Sequence, residues 1–71
     1  MLKNEQEAAR LYKLAADQGN SLGIANLAFF YENGRGGLKK DLTEAVRLYQ
    51  LAANQGNAFA RTALGRLGRS K

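Results

Sequence analysis

The sequence predicts an all-α fold: about four antiparallel helices, paired and stacked as a short α/α superhelix. Three observations predict it. The stretch EAARLYKLAADQGN at residues 7–20 returns as EAVRLYQLAANQGN at residues 44–57, an offset of 37 with eleven of fourteen positions identical. A fixed period of that size marks a chain built from stacked supersecondary units. Within each copy, apolar residues recur at the 3.6-residue spacing of a helix buried along one stripe. The chain has no proline, and glycines punctuate the periodic stretches instead.

The first helix is expected over residues 2–18. Ala8, Leu11, Tyr12 and Ala15 stand at i, i+3, i+4 and i+7 and form its apolar stripe. Gly19 follows, where a left-handed residue ends a helix without a Cβ penalty. Asn20 can then cap the next helix through its side-chain oxygen. A link of about two residues forces the two helices antiparallel.

The second helix is expected over residues 21–33. Ile24, Leu27, Ala28 and Tyr31 form one stripe, and Leu22, Ala25 and Phe29 form another, with Asn26 the single polar residue between Leu22 and Tyr31. A helix apolar nearly all round is buried on several sides, and Leu27 lies in its densest stripe. The loop GRGGLKKD at residues 34–41 comes next. Gly34 and Gly36 break the helix, and Asp41 with Glu44 forms an N-terminal capping pair.

The third helix, residues 41–55, repeats the first: Ala45, Leu48, Tyr49 and Ala52 take the stripe positions, and Gly56 and Asn57 the end and cap positions. The fourth runs over residues 58–69, with Ala60, Ala63, Leu64 and Leu67 inward. Equivalent stripes imply equivalent packing environments for the first and third helices. The three tyrosines, Tyr12, Tyr31 and Tyr49, fall at these packing positions and read as core.

Composition narrows the function. At 71 residues the chain is one module, residues 1–71, and a core of this size is marginal on its own. It holds no cysteine and no histidine, so disulfides, thiolate chemistry and the commonest general base are excluded. No stretch approaches the ~20 apolar residues that span a bilayer, and MLKNEQEAAR lacks the apolar centre of a signal peptide. A soluble, cytoplasmic protein is the expectation. The net charge of +5 sits in the C-terminal part: residues 1–44 carry six acids and six bases, while Arg47, Arg61, Arg66, Arg69 and Lys71 follow with no acid.

With the stripes and loop in place, NLAFFYENGRGG followed by EAVRLYQLAANQGNA resembles the Sel-one-like repeat family, a relative of the tetratricopeptide repeat. The matching places hold Ala25, Leu27-Ala28, Tyr31, Gly34-Arg35-Gly36, Asp41, Ala45, Leu48-Tyr49, Ala52-Ala53 and Gly56. One full repeat spans residues 21–57, with half repeats at 1–20 and 58–71. Departures are Ala28 for a glycine, Leu48 for a tryptophan, Gly37-Leu38 for Val-Pro, and Gly68 where a tyrosine is expected, which reads as an array end. The resemblance implies an α/α superhelix that binds proteins and scaffolds complexes without catalysis, with no cofactor and no metal.

It also implies that the second helix type lines a binding groove. Asn26, Phe30 and Asn33 share one face at i, i+4 and i+7 and, with Arg66, make the candidate groove set. Asn26 has two readings, a clamp on a partner's backbone or a structural hydrogen bond to the neighbouring helix. GRGG lacks the lysine and Ser/Thr of a phosphate loop and reads as a turn. The carboxylates are scattered, and Glu7 and Glu44 suit helix N-termini better than acid–base work. The basic tail suits the macrodipole, the polar outer face of a terminal helix, or, as the alternative function, a nucleic-acid-binding adaptor. The expected partner is another protein or peptide. A homodimer is also expected, because the first helix lacks a preceding neighbour to cover Leu11 and Leu14.

Overall fold

The computed structural model describes residues 4–68, and among these it forms four helices and no strand. They are α1 (Glu5–Asp17), α2 (Ser21–Asn33), α3 (Leu42–Asn54) and α4 (Ala58–Arg66). Each boundary has a local cause. Asn4, Asn20, Asp41 and Asn57 sit in extended conformation, and each side-chain oxygen accepts the backbone N–H three residues on. That satisfies one of the four donors a helix start leaves unpaired.

The boundaries differ from expectation at several ends. Asn4 caps α1, so the helix begins at Glu5 rather than residue 2; the first three residues lie outside the described part. Asp41 is a cap rather than the first residue of α3, and its pairing with Glu44 is one-sided. The Glu44 N–H donates to Asp41, but the Glu44 carboxylate turns to Arg47 and the Asp41 N–H donates to the Tyr31 carbonyl. α1 and α3 end at Asp17 and Asn54, one residue short of the expectation. α4 stops at Arg66 with Gly68 at φ 76°, short of the expected 69, which is not described.

Gly19 and Gly56 close α1 and α3 in left-handed conformation, at φ 80° and 90°. Asn20 N–H reaches back to Ala15 and Gly19 N–H to Ala16, and Asn57 and Gly56 repeat both bonds on Ala52 and Ala53. This is the Schellman arrangement, which uses up carbonyls that a helix end would leave bare.

α2 packs on α1 and, most extensively, on α3, and α3 in turn packs on α4. The core joins Ile24, Ala25, Leu27 and Ala28 of α2 to Ala45, Leu48, Tyr49 and Ala52 of α3 and to Ala60, Ala63 and Leu64 of α4. Small side chains let the helices close up. A Cβ on Gly23 would sit 2.5 Å from the Ala15 Cβ of α1, and one on Gly36 would lie 2.8 Å from the Glu5 carbonyl and the Phe30 ring. The loop is therefore drawn tight against the start of α1.

The expectation of equal environments for the two repeated helices does not hold. Ala45, Leu48, Tyr49 and Ala52 are all buried, whereas Ala8, Tyr12 and Ala15 are half-buried and Leu11 is exposed. Leu48 shows 5% of its surface and Leu11 shows 50%. Of the tyrosines only Tyr49 is fully enclosed; Tyr12 and Tyr31 are half-buried against the core edge. The reason is topological: α3 packs extensively on both α2 and α4, whereas among the described residues the extensive contact of α1 is with α2.

Candidate interaction surface

α2 carries three of the four candidate residues, Asn26, Phe30 and Asn33, and α4 ends on the fourth, Arg66. By spacing, Leu22, Asn26, Phe29 and Asn33 follow one line along it, at i, i+4, i+7 and i+11. Leu22 is 61% exposed, and Phe59, its repeat equivalent on α4, is 44% exposed. The Phe59 ring lies 6.2 Å from Phe29 and 6.0 Å from Tyr49. Two large apolar side chains thus stand open at the first turn of both equivalent helices.

Beside this line is a cleft of about 420 Å³ between the N-terminal half of α1 and α2. Ala8 and Tyr12 line it from α1, Asn26, Phe29 and Phe30 from α2, and Arg35 from the loop. Tyr12 meets Phe30 edge-on at 5.3 Å between centroids. The Arg35 guanidinium lies 5.7 Å from the Phe29 centroid and 5.4 Å from that of Phe30, within range of a cation–π attraction. It also pairs with Glu5, which holds the arginine above its ordinary pKa.

The four groove candidates separate. Asn26 and Phe30 both line the cleft. Phe30 is nevertheless buried, so it forms the wall rather than a reaching side chain. Asn26 is half-buried, and among the described residues its side chain makes no hydrogen bond. Asn33 is exposed and donates to the Phe29 carbonyl at 2.9 Å, outside the cleft. Arg66 stands at the far side of α2, held by Glu32.

That second cluster was not legible as a site. Glu32 is buried, and it accepts from the Tyr49 hydroxyl at 2.8 Å and from Arg66 at 2.6 Å and 3.1 Å. The Arg66 hydrogen bonds hold the Glu32 carboxyl below its usual range, against the opposing effect of burial. Burial first, and then the bond to Glu32, pushes the Tyr49 phenol up. The one sequence signal was that Glu32 is the sole charged residue of α2. A lone acid in an apolar helix calls for buried partners. Of the five C-terminal cations, Arg47 pairs with Glu44 and Arg66 with Glu32; Arg69 and Lys71 lie outside the described residues.

Among the described residues no group of three or more acidic residues stands together as a metal site, and no helix is long and apolar enough to cross a membrane. The arrangement offers contact surface: open apolar side chains, an aromatic-walled cleft and an amide with unused hydrogen-bonding capacity. A family model described as the Sel1 repeat matches residues 1–20 and 21–57. The chain belongs to the Sel1 repeat family. The Sel1 match runs through α1, α2 and α3 and ends on Asn57, the cap of α4. Sel1 repeats are in general helical modules for protein–protein interaction, so a scaffold role is the supported function of this Sel1 chain. Comparison with curated proteins and with solved structures returned no match.

Proposed function

We propose that the chain is a non-catalytic adaptor that docks a protein or peptide along the exposed face of α2 and into the cleft between α1 and α2. The carrying observation is Asn26. Its amide is half-buried at the cleft, beside Phe29 and Phe30, with both donor and acceptor capacity unused among the described residues. An amide of that kind suits a partner's backbone, which offers one donor and one acceptor per residue. The structural alternative for Asn26, a bond to the neighbouring helix, has no counterpart among the described residues. The cleft walls are packed helices, so little ordering entropy is lost when a partner arrives. Asn33 and Arg66 do not line the cleft, and their side chains are already engaged.

Neutralisation of Arg47 and Arg66 by glutamates favours a protein partner over nucleic acid. The test is site-specific photo-crosslinking in the source cell. A photoreactive residue at Asn26 should capture a discrete partner, and one at the exposed Gln50 of α3 should not. Capture from both positions alike, or from neither, would refute the assignment. Binding that collapses with rising salt would indicate phosphate contacts instead.

A further inference from the structure

The internal repeat supplies a template for what fits against α1. α1 on α2 corresponds to α3 on α4, but the packing of α2 onto α3 has no counterpart at α1. Four residues of matching type, Ala8, Leu11, Tyr12 and Ala15, are consequently more exposed than Ala45, Leu48, Tyr49 and Ala52. The residues left open are thus those that α2 covers in the equivalent place. α2 brings two things there: an apolar helical face and the Glu32 carboxylate, which accepts from the Tyr49 hydroxyl. Tyr12 is the equivalent of Tyr49. It lines the cleft, and among the described residues its hydroxyl has no hydrogen-bond partner.

We infer that the open flank of α1 and the adjoining cleft receive an apolar helix from a partner protein, bearing a carboxylate in its last turn that accepts from the Tyr12 hydroxyl. This rests on the docking reading above and names the partner's chemistry. Position supports it: the Arg35 guanidinium lines the same cleft, as Arg66 stands beside the Glu32–Tyr49 bond. Arg35 and Glu5, which also lines the cleft, already pair with each other, so among the described residues the Tyr12 hydroxyl is the donor left for the incoming carboxylate. A second copy stacked head to tail fits poorly. α4 is the helix equivalent to α2, but at the places of Ile24 and Ala28 it carries Arg61 and Gly65, and it ends before Gly68, which takes the place of Tyr31.

The probe is a peptide with the chain's own α2 sequence, residues 20–35, extended by a short lysine tail for solubility and titrated into the full chain. Amide chemical shifts read the location and the affinity. Shifts confined to α1 and the cleft, around Ala8, Leu11, Tyr12, Ala15 and Asn26, are expected. Glu32→Gln in the peptide and Tyr12→Phe in the chain should each weaken binding about tenfold, and the two together no more than either alone. Tyr12→Phe should leave the chain's own melting temperature unchanged, since among the described residues that hydroxyl has no hydrogen-bond partner. Shifts at the cleft that ignore both substitutions would sink the carboxylate inference and leave the docking reading standing. Shifts elsewhere, or none, overturn the inference. So does a concentration-dependent shift of the same amides without peptide, which would make a second copy the occupant. Loss of cleft shifts together with loss of Asn26 crosslinking would remove the docking reading as well.

Discussion

Glu32 shows how a single residue ties distant parts of the chain together. Its carboxylate joins α2 to Tyr49 of α3 and Arg66 of α4. Glu32→Ala would strand a buried phenol without its acceptor, at a cost of about 1–3 kcal/mol, measured by urea denaturation. The same carboxylate shapes acid stability. Its folded pKa lies below the ordinary 4.5, so the stabilisation is complete above that value and lost as pH falls through the folded pKa. Tyr49 acts at the other end: its folded pKa is raised from 10.0, so that contribution is complete below pH 10 and declines above it. Melting temperature should therefore fall at both extremes, and Tyr49→Phe should flatten the alkaline limb. Gly23 makes a different point. With 2.5 Å between an added Cβ and the Ala15 Cβ, Gly23→Ala should cost about 1–3 kcal/mol by forcing α1 and α2 apart. A thermal midpoint equal to wild type would show that the helices shift freely.

Among the helices, α1 and α3 form a natural experiment, because near-identical sequences occupy different surroundings. Leu48→Ala should destabilise by about 2–5 kcal/mol, as deletions from closed cores do. Leu11→Ala should cost under about 1 kcal/mol, because half of that side chain already faces water. Equal losses would mean that α1 is covered in solution. The caps behave uniformly across the same helices. Asn4, Asn20, Asp41 and Asn57 all accept at the third helical N–H, which depends on local backbone alone.

Across the molecule, burial is uneven. The core cluster draws its buried residues from α2, α3 and α4, and α1 joins it only through Tyr12 and Ala16. Ala9 is the one buried residue of α1. Hydrogen exchange should accordingly be slowest in α2 and α3 and faster throughout α1, because local opening tracks buried apolar contact. A docked helix along α1 should slow exchange there first. Uniform protection across all four helices in the isolated chain would contradict this gradient.

Local sequence specifies the elements: four helices, their caps, the left-handed glycine ends and the repeat that ranks them in pairs. Each of these depends on a few neighbouring residues, through side-chain reach to an adjacent N–H or through apolar period, and so is written locally. Small errors arose at helix ends, where capping geometry decides a residue or two. The tertiary structure decided what identical residues do. Leu11 and Leu48 cannot be told apart in sequence, and it is packing against one helix or two among the described residues that makes one surface and the other core. It likewise placed Asn26 and Phe30 at the cleft and Asn33 outside it, although all three share a helical face. Glu32, an unremarked acid, found a tyrosine and an arginine 17 and 34 residues away. Burial and pairing at that separation are properties of packed neighbours, and no local pattern encodes them.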